Sequence, residues 1–143
     1  MPHGGMRRIP ALHIGALHVL WLLLAACTGQ VASQQVPGVY VLADKNTRDT
    51  IRISENGEFT RTHTSRTGDV HTERGTWAFS GGHGRTQISL EGFTDYVEAE
   101  NYRVPPVRGT WMPVVEHGSR GQLRLVVSDD EGLYYEQIQV QHD

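Results

Sequence analysis

The chain predicts an all-β fold, an antiparallel eight-stranded up-and-down barrel, beginning after an N-terminal segment of different composition. Three observations carry that expectation. Apolar and polar residues alternate through almost every segment after Pro37, which is the period of a half-buried strand and not of a helix. Turn residues such as Asn56-Gly57, Gly81-Gly82-His83-Gly84 and Ser128-Asp129-Asp130-Glu131-Gly132 punctuate those segments at short intervals. A meander of this length leaves two exposed edges unless it closes on itself, so a barrel is expected and an open β-sandwich is the alternative. Eight strands enclose an interior that side chains fill or that holds one small ligand.

Strands are expected near 38–43, 48–54, 58–64, 70–79, 85–91, 108–116, 122–128 and 133–140. The second and third also define their register. Ile51 and Ile53 share a face that Phe59 should join. A two-residue Asn56-Gly57 turn would pair Ser54 with Phe59 and put the apolar residues on opposite faces. A three-residue loop, Glu55-Asn56-Gly57, pairs Ile53 with Phe59 instead, with Gly57 at positive φ in a glycine bulge. A one-residue slip would turn every side chain over, so the hydrophobic pattern selects the longer loop. Further along, Trp77 and Phe79 share a face, as do Ile88 and Leu90, and then Leu123, Leu125 and Val127. The one long connection, 92–107, carries Tyr96, Tyr102 and Pro105-Pro106, with a short helix expected over 94–101 capped by Thr94 or Asp95.

The segment before the strands has its own logic. Arg7 and Arg8, directly after Met6, precede an apolar run from Ala11 to Ala26 that is most hydrophobic at Leu20-Trp21-Leu22-Leu23-Leu24. Its roughly sixteen residues fall short of the roughly 20 that span a bilayer. The run ends in Leu24-Ala25-Ala26-Cys27, and Cys27 is the only cysteine in the chain. The arrangement of positive start, apolar centre and small residues is that of a secretory signal. Its last four residues resemble the lipobox of bacterial envelope lipoproteins. The resemblance implies cleavage before Cys27, acylation of Cys27 (palmitate and related chains) and anchoring in a membrane, where more than one chain makes the attachment stable. It divides the chain into a signal peptide at 1–26, a lipidated cysteine and uncharged tether at 27–36, and a β-barrel domain at 37–143. Thr28 stands where an aspartate often marks inner-membrane retention in such lipoproteins, so the implied location is the outer membrane, facing the periplasm.

Composition narrows the classes. The formal net charge of −3 becomes −5 once Arg7 and Arg8 are removed, and no basic patch suggests nucleic acid. With Cys27 acylated no thiol is left for a disulfide, a redox centre or a nucleophile. A domain of about 115 residues held by its core alone is feasible.

Arg74-Gly75-Thr76-Trp77 recurs as Arg108-Gly109-Thr110-Trp111. Two copies are too few for a repeat architecture. They read as similar strand starts, in which Gly allows a bend and Trp plugs a barrel end, or as two walls of a ligand site. The order Gly38-Val39-Tyr40, Ile51-x-Ile53, Asn56-Gly57-x-Phe59, Gly75-Thr76-Trp77 and Ile88-x-Leu90 resembles small lipocalin-like domains of bacterial envelope lipoproteins, among them copper-responsive envelope-stress members. The Cys-x-x-Cys of those members is missing here, and the first strand lacks the Gly-x-Trp of true lipocalins.

Candidate chemistry is sparse. His63 and His71 flank the 65–69 turn and come opposite each other in a symmetric hairpin. A metal site there would need further ligands such as Asp69 or Glu73, and neither a metal nor another cofactor is expected. No Gly-x-Ser-x-Gly elbow presents a serine nucleophile. The paired acids at Glu98/Glu100 and 129–131 read as solvated turns. If Phe59 faces inward, alternation sends Arg61 and His63 inward as well, and a buried arginine requires a partner. The expectation is that this strand end projects beyond the core; a polar lumen is the alternative.

The expected function is that of a non-enzymatic, lipid-anchored barrel binding a small molecule or envelope component, with Tyr40, Phe59, Trp77, Trp111 and Tyr135 lining the interior. The second expectation is a protein-binding module, such as a protease or lysozyme inhibitor, using loops 92–107 and 117–121 through Tyr96, Tyr102 and His117. A ligand-sized cavity lined by Trp77 and Trp111 supports the first, and a filled barrel supports the second.

Overall fold

The computed structural model describes residues 30–43, 48–82, 84–96, 99 and 103–139, with Ala43, Gly81 and Gly82 described in their backbone only. The segment expected to be a signal and the expected lipidation site, Cys27, lie outside them.

Nine strands follow in order: β1 (Gly38–Ala43), β2 (Arg48–Ile53), β3 (Glu58–Thr64), β4 (Val70–Gly82), β5 (Arg85–Thr94), β6 (Arg108–Trp111), β7 (Val114–His117), β8 (Leu123–Ser128) and β9 (Leu133–Ile138). All pairings are antiparallel. The meander closes because β1 pairs with β9 (Val39 opposite Ile138) while β4 and β5 join the two halves (Thr76 opposite Glu91). A closed eight-stranded barrel results, and the open sandwich is excluded.

The ninth strand comes from a break in one expected strand. The expected strand at 108–116 divides at Met112-Pro113 into β6 and β7, both of which pair with β5. Proline has no N–H for the ladder, so pairing stops there. The Pro113 carbonyl still accepts from the Ile88 N–H at 3.2 Å, which holds the break against β5.

Ile53 lies opposite Phe59, as the three-residue loop requires, and Gly57 has φ +86°. The same hydrogen-bond pattern recurs at two other hairpins. Ser54, Ser65 and Gly118 each donate N–H to the carbonyl four residues on and accept from a glycine three residues on. The expected helix is represented by Tyr96 and Ala99, with Ala99 N donating to Asp95 O at 3.3 Å.

The core is a single cluster that includes Tyr40, Ile51, Phe59, Ile88, Leu125 and Tyr135, each 1% exposed or less. Gly75 shows how tightly β4 crosses it. A Cβ there would fall 2.0 Å from the Glu91 carbonyl oxygen and 2.5 Å from the Phe59 ring. Gly109, its counterpart in the second Arg-Gly-Thr-Trp, faces open space. The repeated tetrapeptide is therefore not a repeated structural unit.

The expected tether is shorter than the sequence suggests. Val31 and Val36 belong to the core, and Ser33–Gln35 form a 3-10 turn. The Tyr40 hydroxyl donates to Val36 O at 2.6 Å, and Gln137 Nε2 donates to Gln35 O and Pro37 O. At the other side of the barrel Gln30 lines one groove with Gly84, Arg85, Thr86, Val115, Val126 and Asp129. Residues 30–37 therefore cross the barrel mouth from β1/β9 to β5. Two valines in an otherwise polar stretch, too few to show a period, are what close it.

Candidate functional site

The two barrel ends differ in chemistry. Beneath the segment 30–37 the interior is apolar, with Val31 and Val36 joined to the core. At the opposite end Asp49, His63 and Thr94, carried by β2, β3 and β5, are polar and buried, while His71 on β4 is exposed beside them.

Arg61 organises that end. It is 1% exposed, and each of its three nitrogens has a partner. Nε donates to both carboxylate oxygens of Asp49 at 2.9 and 3.0 Å, and Nη2 donates to Oδ2 as well. Nη1 donates to Glu73 Oε1 at 3.2 Å and to the Thr94 carbonyl oxygen, and Nη2 approaches the Tyr135 hydroxyl at 3.4 Å. The guanidinium lies 4.0 Å from the Phe93 ring centroid, a cation–π contact. Glu73 in turn accepts from Thr94 N at 3.0 Å, and His63 Nδ1 meets Asp49 Oδ2 at 3.0 Å.

Electrostatics follow from these contacts. Burial pushes the Asp49 carboxyl up, but hydrogen bonds from His63 and Arg61 and the Arg61 charge outweigh it and hold it below its ordinary value. Burial disfavours the Arg61 cation, yet Asp49 and its other neighbours hold its pKa above the ordinary arginine value. Burial, with the nearby Asp49 charge, pushes the Tyr135 hydroxyl well up, so it remains a neutral hydrogen-bonding group.

The expectation that this strand end projects beyond the core is corrected here. Arg61 and His63 are inside, and the barrel end is polar because they are paired there. Sequence reasoning missed Asp49 and considered Glu73 only as a possible metal ligand, although the signal for both as partners of Arg61 and His63 was present. Once Ile53 lies opposite Phe59, Asp49 lies opposite His63; once His63 lies opposite His71, Arg61 lies opposite Glu73. The contributions of Phe93, Thr94 and Tyr135 depend on closure of the whole barrel and had no local signal.

Chemically, the Asp49–His63 contact resembles the way a carboxylate orients an imidazole in acid–base catalysis. His63 is fully buried and stacked on Tyr96 at 5.0 Å, so the pair is closed off from solvent. Tyr96 also stacks on His71 at 4.9 Å. The acids considered as metal ligands are engaged elsewhere: Asp69 accepts from Thr67 within its own turn, and Glu73 serves Arg61 and Thr94. Among the described residues no cluster of three or more His, Cys, Asp or Glu is arranged to hold a metal.

The five residues expected to line the interior divide by burial. Tyr40, Phe59 and Tyr135 are packed core, while Trp77 and Trp111 are half-buried against it. Trp77 Nε1 donates to Ser54 O at 2.7 Å, and Trp111 packs on Phe93 and Tyr135. Among the described residues, cavities of about 250, 450 and 590 Å³ reach the rim at the 30–37 end, and none of these three is lined by any of the five. The two loops expected to form one contact surface lie at opposite ends of the barrel, because β5–β6 and β7–β8 connect there. Tyr102 lies outside the described residues, and His117 sits at the 30–37 end.

Among the described residues, the large apolar side chains exposed at the Arg61 end are Val70 (63%), Val104 (50%) and Val107 (73%). The segment 103–110 is exposed throughout and contains Pro105-Pro106. Comparisons with protein families, with curated proteins and with solved structures give no match to this chain.

Proposed function

We propose that this chain is a lipid-anchored, periplasm-facing lipoprotein of the outer membrane whose barrel is a non-enzymatic module for binding a protein of the cell envelope. The anchor reading rests on the Leu24-Ala25-Ala26-Cys27 sequence and the apolar run before it. The binding reading rests on one observation: the interior around Tyr40, Phe59 and Tyr135 is packed, while Val70, Val104 and Val107 stand exposed beside the ion-paired end. Where the described interior is packed, a partner meets the surface more readily than the lumen. Exposed apolar groups around two prolines lose little conformational freedom on binding.

Native mass spectrometry of the protein purified from its own envelope tests this. The expected result is a protein partner that the Val104→Asp/Val107→Asp variant no longer retains. A small molecule retained by both forms would replace the protein-binding reading with that of a ligand carrier. Palmitate labelling should be lost in Cys27→Ser; labelling that persists would overturn the anchor.

A further inference from the structure

The short distance between the anchor and the packed domain has a geometric consequence, which rests on the lipid-anchor reading above. Val31 is 4% exposed and belongs to the core. Cys27 stands four residues earlier. Four residues, fully extended, reach about 14 Å, less than the length of the six-residue β1 or the thirteen-residue β4. A lipid on Cys27 therefore keeps Val31 within about 14 Å of the membrane surface.

The end at which that short connection emerges is the one crossed by residues 30–37. The same rim exposes two large apolar side chains. Phe79 is 37% exposed near the tip of the long β4–β5 hairpin, and Ile138 is 48% exposed at the end of β9. Three strands, β1 to β3, lie between β4 and β9. The two side chains therefore stand on well-separated parts of one rim, as two footholds on a flat surface would.

We infer that the barrel end closed by residues 30–37 is held directly against the lipid surface, touching it through Phe79 and Ile138, with the Arg61 end pointing away from the membrane. The occupant of this face is the bilayer that carries the anchor, because the remaining chain is too short to place anything bulky between them. Half-exposed apolar side chains suit the boundary between headgroups and acyl chains, where apolar area is removed from water without spanning the membrane.

The test uses the acylated protein purified from its envelope and reconstituted in phosphatidylethanolamine/phosphatidylglycerol vesicles containing lipids with nitroxide-labelled headgroups. A thiol-reactive fluorophore is placed at Glu55→Cys, in the turn at the 30–37 end, or at Glu131→Cys, in the turn at the Arg61 end. Intact mass reports acylation independently in every sample. The expected result is at least threefold stronger quenching at position 55 than at 131. That difference should shrink in Phe79→Ser/Ile138→Ser and vanish when about twenty Gly/Ser residues are inserted after Gly29. Equal quenching at both positions of an acylated protein would overturn the orientation and leave the anchor standing. A mass without acyl chains on envelope-purified protein would overturn both.

Discussion

Arg61 and Asp49 are joined side-on, the guanidinium Nε lying 2.9 Å from one carboxylate oxygen and 3.0 Å from the other, with both side chains withdrawn from water. A buried pair of this kind gains little net stability over apolar packing, because two charges lose their hydration, but removing one partner strands the other. Arg61→Leu should therefore cost about 3–5 kcal/mol, since Asp49 and Glu73 would remain buried without their cation. Asp49→Leu should cost a similar amount. The double variant should cost clearly less than the two together, measured by urea unfolding in a double-mutant cycle.

The same carboxylate sets an acid limit. Its pKa is depressed in the folded state, so its contribution is fully present above the ordinary carboxyl value, near 4, and is lost as pH falls below that value through the folded pKa. Wild-type stability should drop steeply over that acid range. Asp49→Asn should be less stable at neutral pH and show a shallower drop in acid. Thermal unfolding between pH 2 and 7 measures both slopes, and parallel curves would contradict the assignment.

The two Arg-Gly-Thr-Trp segments should respond oppositely to one methyl group. Gly75→Ala drives a Cβ into the Glu91 carbonyl and the Phe59 ring, and should cost at least about 3 kcal/mol or prevent folding. Gly109→Ala meets nothing and should stay within about 0.5 kcal/mol of wild type by thermal unfolding.

Where the domain begins is also measurable. A protein starting at Pro37 loses two buried valines and the Tyr40–Val36 hydrogen bond. It should be less stable than one starting at Gln30 by about 3–5 kcal/mol, taking roughly 1.5 kcal/mol or more per buried valine and about 1 for the hydrogen bond. Equal urea midpoints would show that residues 30–36 contribute nothing.

Much of the barrel was legible because its information is local. Ile51, Ile53 and Phe59 determine both the face and the register of β2 and β3, and the Glu55-Asn56-Gly57 loop agrees with them. The break at Pro113 was equally present in the sequence, yet strand periodicity on both sides masked it. The polar end was half legible. Arg61 and His63 announced themselves as inward-facing, and two register sums would have supplied Asp49 and Glu73. Their depth was not legible, because it depends on Tyr135, 74 residues beyond Arg61, and on the loop that follows β5. Val31 and Val36 were hidden for a different reason: a cap of two apolar residues has no period to detect.

Pairing of the first strand with the last, Val39 against Ile138, imposes an order on assembly. Under the proposed route, the chain crosses a membrane with β1 leading and β9 trailing. Asp49 and Arg61 are only 12 residues apart and can meet early. The edge of β1 has no mate until the final segment arrives, and an unmated edge invites pairing with other chains. The vulnerable interval is thus the time between the emergence of β1 and the arrival of β9.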